Sequence, residues 1–497
     1  MSSLPIREDL RDQQPYGAPQ IAAPVSLNVN ENPYPPSEAL VTDAATAVAE
    51  VVRGLNRYPD REAVQLRADL ARYLEQESGV TVETRQVWAA NGSNEIMQQV
   101  LQAFGGPGRA VLSFSPTYSM YSEYARNTNT EYIAIPRADD FSIDRAAALE
   151  AIAAHRPSVI MLASPNNPTG TALDLDLISE IHAATDGIVV VDEAYAEFRR
   201  AGTESAATLV PSHRRLLVAR TMSKAFAFAG ARVGYAVAQI PVIDALRIVR
   251  LPYHLSATTQ VLARVALAHA DELQADVATL RTDRDALAEW LLWNGFEAPP
   301  SDANFIMFGQ FADRGAVWQG LVDRGVLVRE VGPPEWLRVS IGRPEEIAAF
   351  KSALLDVVRT LGDGEDSAIG PVAQRAVSAD ADGEPTSQNS TGPAPARETD
   401  AGAEDSEASV EAVGTKLQAL REGVPTAVND PAEDSDLPAA GGPDRAEDPS
   451  SGDSGGGDPE QRAAQHDEAV ALAVLRDQAE AAADQLADPT ADKESRA

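Results

Sequence analysis

The chain has 497 residues, with 75 acidic against 41 basic side chains and a formal net charge of −34. It has no cysteine, which excludes disulfides, thiol nucleophiles and thiolate metal sites. Its acidity argues against nucleic acid as a partner, and no apolar run reaches membrane-spanning length. The start, Met1-Ser-Ser-Leu-Pro-Ile-Arg-Glu, lacks a basic-then-apolar export pattern, so a cytoplasmic location is expected. The histidines (His155, His182, His213, His254, His269 and His466) form no ligand-spaced pair, and no metal is expected.

Along the chain, short β-branched runs alternate with longer helical patterns. A helix is predicted over Asn94–Phe104, then strands over Ala110–Phe114, Tyr132–Ile135 and Ser158–Ala163. A helix over Leu175–Ala184 leads to strands over Ile188–Asp192, Leu216–Arg220 and Val233–Ala238. The near-continuous apolar run Ile188-Val-Val-Val suits a strand covered on both faces. This alternation predicts an α/β domain with a largely parallel sheet. A long helix over Asp271–Leu292 follows, with strands over Ala303–Phe308, Val326–Glu330 and Trp336–Ile341 and a helix over Glu345–Leu361, which reads as a smaller α+β domain. Residues 363–497 contain no aromatic residue or Met and hold 31 acidic and 9 basic side chains. That tail cannot bury enough apolar surface to offset its ordering entropy and is expected to be disordered. Within it, Ala408–Arg421 and Arg462–Leu486 have some helical spacing, which fits a marginal Ala-rich helix better than a partner-binding one; any tail partner is unknown.

Lys224 is one of only four lysines, against 37 arginines. Arginine cannot serve as an amine nucleophile, whereas an unprotonated lysine can form a Schiff base with an aldehyde cofactor. A surface lysine near a loop is the plain alternative. Its run, Thr221-Met-Ser-Lys224, precedes a Gly-Ala-Arg turn ending at Arg232. Three other motifs fall at strand ends, where ligand sites of open α/β sheets lie. Asn91-Gly-Ser93-Asn94-Glu95 opens a helix whose backbone N–H groups can hold a phosphate, although the same residues make an ordinary cap. Ser164-Pro-Asn-Asn167-Pro-Thr-Gly170 follows a strand and carries two Asn that a plain turn does not need. Asp192 and Tyr195 lie in Val191-Asp-Glu-Ala-Tyr195. A carboxylate ending a buried strand is costly unless it meets a cation or donors, and a protonated pyridine nitrogen would be such a partner; a structural helix cap is the alternative.

In this order, the four motifs resemble the fold-type I aminotransferases that use pyridoxal 5′-phosphate. The resemblance implies that Lys224 forms the Schiff base and shuttles the proton between Cα and C4′. Asp192 would pair with the ring nitrogen, Tyr195 and Asn167 would bond the phenolic oxygen, and Tyr118 would stack on the ring. Ser93, Asn94, Ser223 and Arg232, with Thr221 close by, would hold the phosphate. It also assigns residues 1–37 to an N-terminal arm and small-domain segment, 38–270 to a large cofactor-binding domain, and 271–362 to a small C-terminal domain.

Leu27-Asn-Val-Asn-Glu-Asn32-Pro-Tyr34, Asn56-Arg-Tyr58-Pro-Asp60 and Leu337-Arg338-Val-Ser-Ile-Gly342 are similar to the histidinol-phosphate aminotransferase family, most of all its actinobacterial members. The likeness spans about residues 5–360. It implies a homodimer with shared active sites, in which Tyr58 reaches the neighbouring subunit's cofactor phosphate. Arg338 would bind the carboxylate of glutamate or 2-oxoglutarate, and Tyr16, Asn32 and Arg329 would help bind these small anionic substrates. Since the protein is acidic overall, the anions need a local arginine cluster. Arg343 departs from the small hydroxylic residue common at its position. An aromatic-amino-acid aminotransferase and a threonine-phosphate decarboxylase share the scaffold and are the alternatives. His254 and Trp336 read as structural.

Overall fold

The computed structural model describes residues 4–362, apart from residues 12, 16 and 18–20. Tyr16 and the tail, including the two stretches with helical spacing, therefore lie outside the described residues.

The strands are, in chain order, β1 Val25–Ser26, β2 Val87–Ala90, β3 Ala110–Ser115, β4 Glu131–Pro136, β5 Val159–Ala163, β6 Ile188–Asp192, β7 Leu216–Thr221, β8 Gly234–Ala238, β9 Phe305–Gly309, β10 Val326–Leu327, β11 Arg329–Glu330 and β12 Trp336–Ser340. The helices are α1 Glu38–Val52, α2 Val64–Ser78, α3 Ser93–Phe104, α4 Met120–Asn127, α5 Arg145–His155, α6 Leu175–Ala184, α7 Ile240–Val249, α8 Ala257–Ala268, α9 Ala270–Trp293, α10 Arg314–Asp323 and α11 Pro344–Gly362.

Seven strands form one sheet in the order β2-β8-β7-β6-β5-β3-β4. All run parallel except β8, which is antiparallel to both β7 and β2. The six strands expected from the sequence are present. The edge strand β2 was not foreseen, because Val87-Trp-Ala-Ala90 is short and half of it is Ala.

The central strands are apolar on both faces because helices cover both. In β5, Ile160 and Leu162 enter one apolar layer while Val159, Met161 and Ala163 enter the other. In β6, Val189 and Val191 alternate with Ile188 and Val190 in the same way. Each fully buried Val or Ile contributes about 1.5–3 kcal/mol. This burial fixes the register that brings Asp192 to the strand end.

A second, three-stranded antiparallel sheet has the order β11-β12-β9. The single strand expected over Val326–Glu330 divides at Val328. Val326 and Leu327 pair with Val25 and Ser26 of the N-terminal arm, while Arg329 and Glu330 pair with Arg338 and Leu337. Among the described residues, no helix is long and apolar enough to cross a membrane, and no group of three or more acidic or His side chains could hold a metal.

Candidate active site

A cleft of about 240 Å³ opens at the ends of β5, β6 and β7, beside β11 and β12. Of the residues singled out from the sequence, it gathers Ser93, Asn94, Tyr118, Asn167, Asp192, Tyr195, Thr221, Ser223, Lys224, Arg232, Arg329 and Arg338. Asn32 does not line it: its Nδ2 donates to the Ala225 carbonyl at 3.5 Å, beside Lys224. Tyr58 does not line it either; its ring is 79 % exposed and stacks on Tyr253 at 4.4 Å.

One end of the cleft is built for an anion. Helices α1, α5, α8 and α10 are closed by Ser37, Asp144, Ser256 and Asp313, whose side chains accept a first-turn N–H. Helix α3 follows Gly92 with no such side-chain bond, as do α2, α4, α6, α7 and α9 with their own preceding residues, but Ser93 and Asn94 of its first turn face the cleft. First-turn N–H groups and the helix dipole together favour a phosphate. Two glycines permit the arrangement. Gly92 has φ +79°, and a Cβ there would come within 2.8 Å of the Arg232 guanidinium. A Cβ on Gly234 would come within 2.3 Å of the Ser93 nitrogen. Arg232 itself takes a left-handed backbone at φ 56° and donates to Ser223 Oγ at 3.4 Å. The Thr221 hydroxyl donates to Ser223 Oγ at 3.0 Å and fixes that side chain.

Asp192 lies at the end of β6 and is 6 % exposed. Its Oδ2 accepts from the Tyr121 hydroxyl at 3.0 Å and its Oδ1 from the Ala194 N–H at 3.2 Å. Burial pushes the carboxyl up to about 6, against these two bonds, and Glu193 adds to the rise. A protonated ring nitrogen is the partner that such a carboxylate suits.

Lys224 lines the same cleft as Asp192, with its Nζ donating to the Val29 carbonyl at 3.2 Å. Burial, then Arg338 and Arg232, pull the amine down to about 8, while Glu31 works the other way. An amine in that range offers a usable neutral fraction near pH 7, as an amine nucleophile must. The donor set thus fits pyridoxal 5′-phosphate: an amine for its aldehyde, a carboxylate for its ring nitrogen and an anion cradle for its phosphate.

The other end is cationic. Arg329 and Arg338 are direct partners across β11 and β12. Arg338 is 5 % exposed, donates to Asn167 Oδ1 at 2.6 Å and to the Asn28 carbonyl at 2.9 Å, and lies 5.0 Å over the Phe305 ring. With Lys224 and Arg232 these form the local positive cluster expected in an acidic protein. Asn28 and Asn30 also line the cleft and were missed by sequence reasoning. The chain bends here, Asn30 has a left-handed φ of 54°, and Val29 between them lines the cleft as well, so no strand periodicity pointed to them. Asn30 Nδ2 donates to the Tyr195 hydroxyl at 3.0 Å, and Asn167 Nδ2 approaches it at 3.4 Å.

The structural readings of two residues are consistent with their surroundings. His254 stacks on Trp88 and meets the Ala89 carbonyl at 2.9 Å. Trp336 is 7 % exposed and packs edge-on against Phe141. Arg343 donates to the Pro33 carbonyl at 3.0 Å and tethers the arm.

Residues 23–354 match the family of class I and II aminotransferases. The chain is 58 % identical over 358 residues to histidinol-phosphate aminotransferase 3 of Burkholderia lata, spanning 72 % of this chain and 97 % of that one. It is 59 % identical over 355 residues to histidinol-phosphate aminotransferase of Thermobifida fusca, spanning 71 % and 96 %. The chain belongs to the class I and II aminotransferases. The fold of this aminotransferase matches that of a histidinol-phosphate aminotransferase from Sinorhizobium meliloti, solved in complex with pyridoxal-5′-phosphate, at a TM-score of 0.61, with 23 % identity over 68 % of this chain and 92 % of that one.

Proposed function

We propose that this aminotransferase moves an amino group from L-histidinol phosphate to 2-oxoglutarate, giving imidazole-acetol phosphate and L-glutamate in histidine biosynthesis. The observation that carries the reading is Lys224, an amine pulled down to about 8, in one cleft with the Asp192 carboxylate, the open N-terminus of α3 and three arginines. The near-full-length likeness to histidinol-phosphate aminotransferases supports the substrate. Bound pyridoxal 5′-phosphate supplies an aldehyde and an electron-withdrawing ring.

In this reading Lys224 is the amine that holds the cofactor and then the base and acid at the substrate Cα. Asp192 keeps the ring nitrogen protonated. Tyr195 and Asn167 bond the phenolic oxygen, and Tyr118 covers one ring face. Ser93, Asn94, Thr221, Ser223 and Arg232 hold the phosphate. Arg338, already oriented by Asn167 and Asn28, takes the substrate carboxylate as a bidentate fork. Arg329 opposite it serves the phosphorylated substrate, with Tyr16 contributing, whereas Asn32, turned to the Ala225 carbonyl, takes no direct part. Histidinol phosphate has no carboxylate, so one cationic end must serve both half-reactions. Arg338→Lys keeps the charge but loses the fork; kcat/KM for 2-oxoglutarate is expected to fall roughly 10- to 100-fold, and an unchanged value would remove Arg338 from that role.

A homodimer with shared sites is part of the proposal. Tyr58, Leu55, Ile248 and Leu251 are 79, 51, 83 and 73 % exposed. They belong to segments held together by Tyr58 on Tyr253 and by Arg247 and Arg250 on Glu62, at 3.0 and 2.7 Å. Such an apolar patch suits a subunit contact, from which Tyr58 reaches the neighbour's phosphate. The same proposal divides the described chain into an arm through residue 37, a large domain over 38–270 and a small one over 271–362. Pairing of β1 with β10 supports placing the arm with the small domain. A cytoplasmic location accords with small, water-soluble anionic substrates.

Side-by-side kcat/KM values for histidinol phosphate and phenylalanine test the substrate. The former is expected to exceed the latter at least tenfold, about 1.4 kcal/mol of discrimination. The reverse order would make the protein an aromatic-amino-acid aminotransferase.

A further inference from the structure

Tyr121 was not picked out by any motif, yet its hydroxyl makes the one side-chain hydrogen bond to Asp192 found among the described residues, at 3.0 Å. It sits in the first turn of α4, three residues after Tyr118, with the two rings edge to face at 5.7 Å. Its side chain is fully buried in the apolar layer that also holds Tyr124, Met161 and Val190. A buried hydroxyl requires a partner, and this one has a carboxylate in an otherwise apolar wall. The ring could pack as well without the oxygen, so the oxygen needs its own explanation.

We propose that Tyr121 is a positioning residue for Asp192: its hydroxyl holds Oδ2, fixes the carboxylate's orientation and keeps it an anion, so that it meets the cofactor's ring nitrogen as a charge. This inference rests on the functional reading above. Burial and the neighbouring Glu193 both favour the neutral carboxyl, and Tyr121 with the Ala194 N–H opposes them. The other titratable groups around the pair are Tyr118, just before α4, Tyr124 on α4, and Arg137, whose charge acts on Tyr121. Burial and then Asp192 raise the Tyr121 phenol far above its ordinary value, so it remains a donor throughout the working range.

The test compares Tyr121→Phe, Asp192→Asn and the double variant. Pyridoxal 5′-phosphate is titrated onto each full-length apoprotein, followed by the absorbance band of its adduct with Lys224, and each apoprotein is melted across pH. Phe keeps the ring and its packing. Tyr121→Phe is expected to weaken cofactor binding roughly tenfold or more, the weight of a hydrogen bond to a charged group. In the Asp192→Asn background the same change is expected to matter less than about twofold, because the charge it supports is gone. The Tyr121→Phe apoprotein should also begin to lose its pH-dependent destabilisation at a higher pH than wild type, since the carboxyl without its donor protonates earlier as pH falls. Unchanged cofactor binding in Tyr121→Phe, or an equal loss in both backgrounds, would overturn the proposal. A wild-type protein that forms no adduct band would overturn the reading of Lys224 and this inference together, and is told apart by the wild-type titration alone.

Discussion

Lys224→Met is expected to lower turnover by about 10⁴-fold or more while the apoprotein melts no lower than wild type. The rate loss follows because no other lysine is near: among the described residues Lys351 is the one other, and it lies over Trp290 on α9. Met keeps the aliphatic stem, so packing along the cleft wall survives. The stability half of the prediction follows from proton linkage. The folded amine titrates at about 8, below its ordinary 10.5, because burial and then Arg338 and Arg232 disfavour the charge. The folded state therefore binds its proton less tightly than the unfolded chain. The resulting penalty is complete below about pH 8, shrinks as pH rises towards 10.5 and is absent above it. Met removes the penalty, so the variant should melt higher than wild type at pH 7, with the gap closing above pH 10.5. Melting curves at several pH values with steady-state assays check both halves; retained turnover would end Lys224's assignment.

Asp192→Asn should cost roughly two to three orders of magnitude in kcat, the usual loss when one preorganised electrostatic group is removed. Asn keeps the size and can still bond Tyr121 and the Ala194 N–H, so the change isolates the charge. Here the shift has the opposite sense. Burial raises the folded carboxyl from 3.8 to about 6. The ionised form works against the fold, fully above about pH 6 and not at all below about pH 3.8. The Asn apoprotein should therefore be the more stable one at pH 7 and lose that advantage in acid. With cofactor bound the order is expected to reverse, because the wild-type charge then has its partner and binding adds to stability by mass action. Melts of both proteins with and without pyridoxal 5′-phosphate read this out, and an Asn variant that is stabilised equally by the cofactor would count against the pairing.

Much of this site could be read before any coordinates. Asp192 and Asn167 sit just past apolar runs, so a strand end and a polar ligand group were visible side by side. Lys224 stood out because this chain builds its charge from arginine. What escaped depended on partners far along the chain. Tyr121 lies on the apolar side of a short helix and looks like core until its oxygen is seen against Asp192. Asn32 was chosen from the arm, yet Asn28 and Asn30 face the cleft; all three would share one face of a straight extended segment, and the left-handed backbone of Asn30, at φ 54°, turns the chain before Asn32. The pairing of Arg329 with Arg338 depends on the register of two strands, which no local pattern encodes. The break at Val328 is likewise a tertiary event: Val326 and Leu327 are claimed by the arm and Arg329 and Glu330 by β12.

That arm has a consequence for how the protein is made. The Asn30 amide and its Oδ1 are both held by the Ser340 hydroxyl, at 2.9 and 2.8 Å, and Asn304 holds its carbonyl at 3.1 Å. Asn30 leaves the ribosome long before Ser340, which follows 310 positions later. The seven-stranded sheet, closed by Ala238, can form while the arm waits without its partners. One wall of the cleft is thus assembled last, after the chain has been synthesised past Ser340. A polypeptide released before that point would hold Lys224 and Asp192 without Arg338, and would lack the hydrogen bonds that seat the arm against Tyr195.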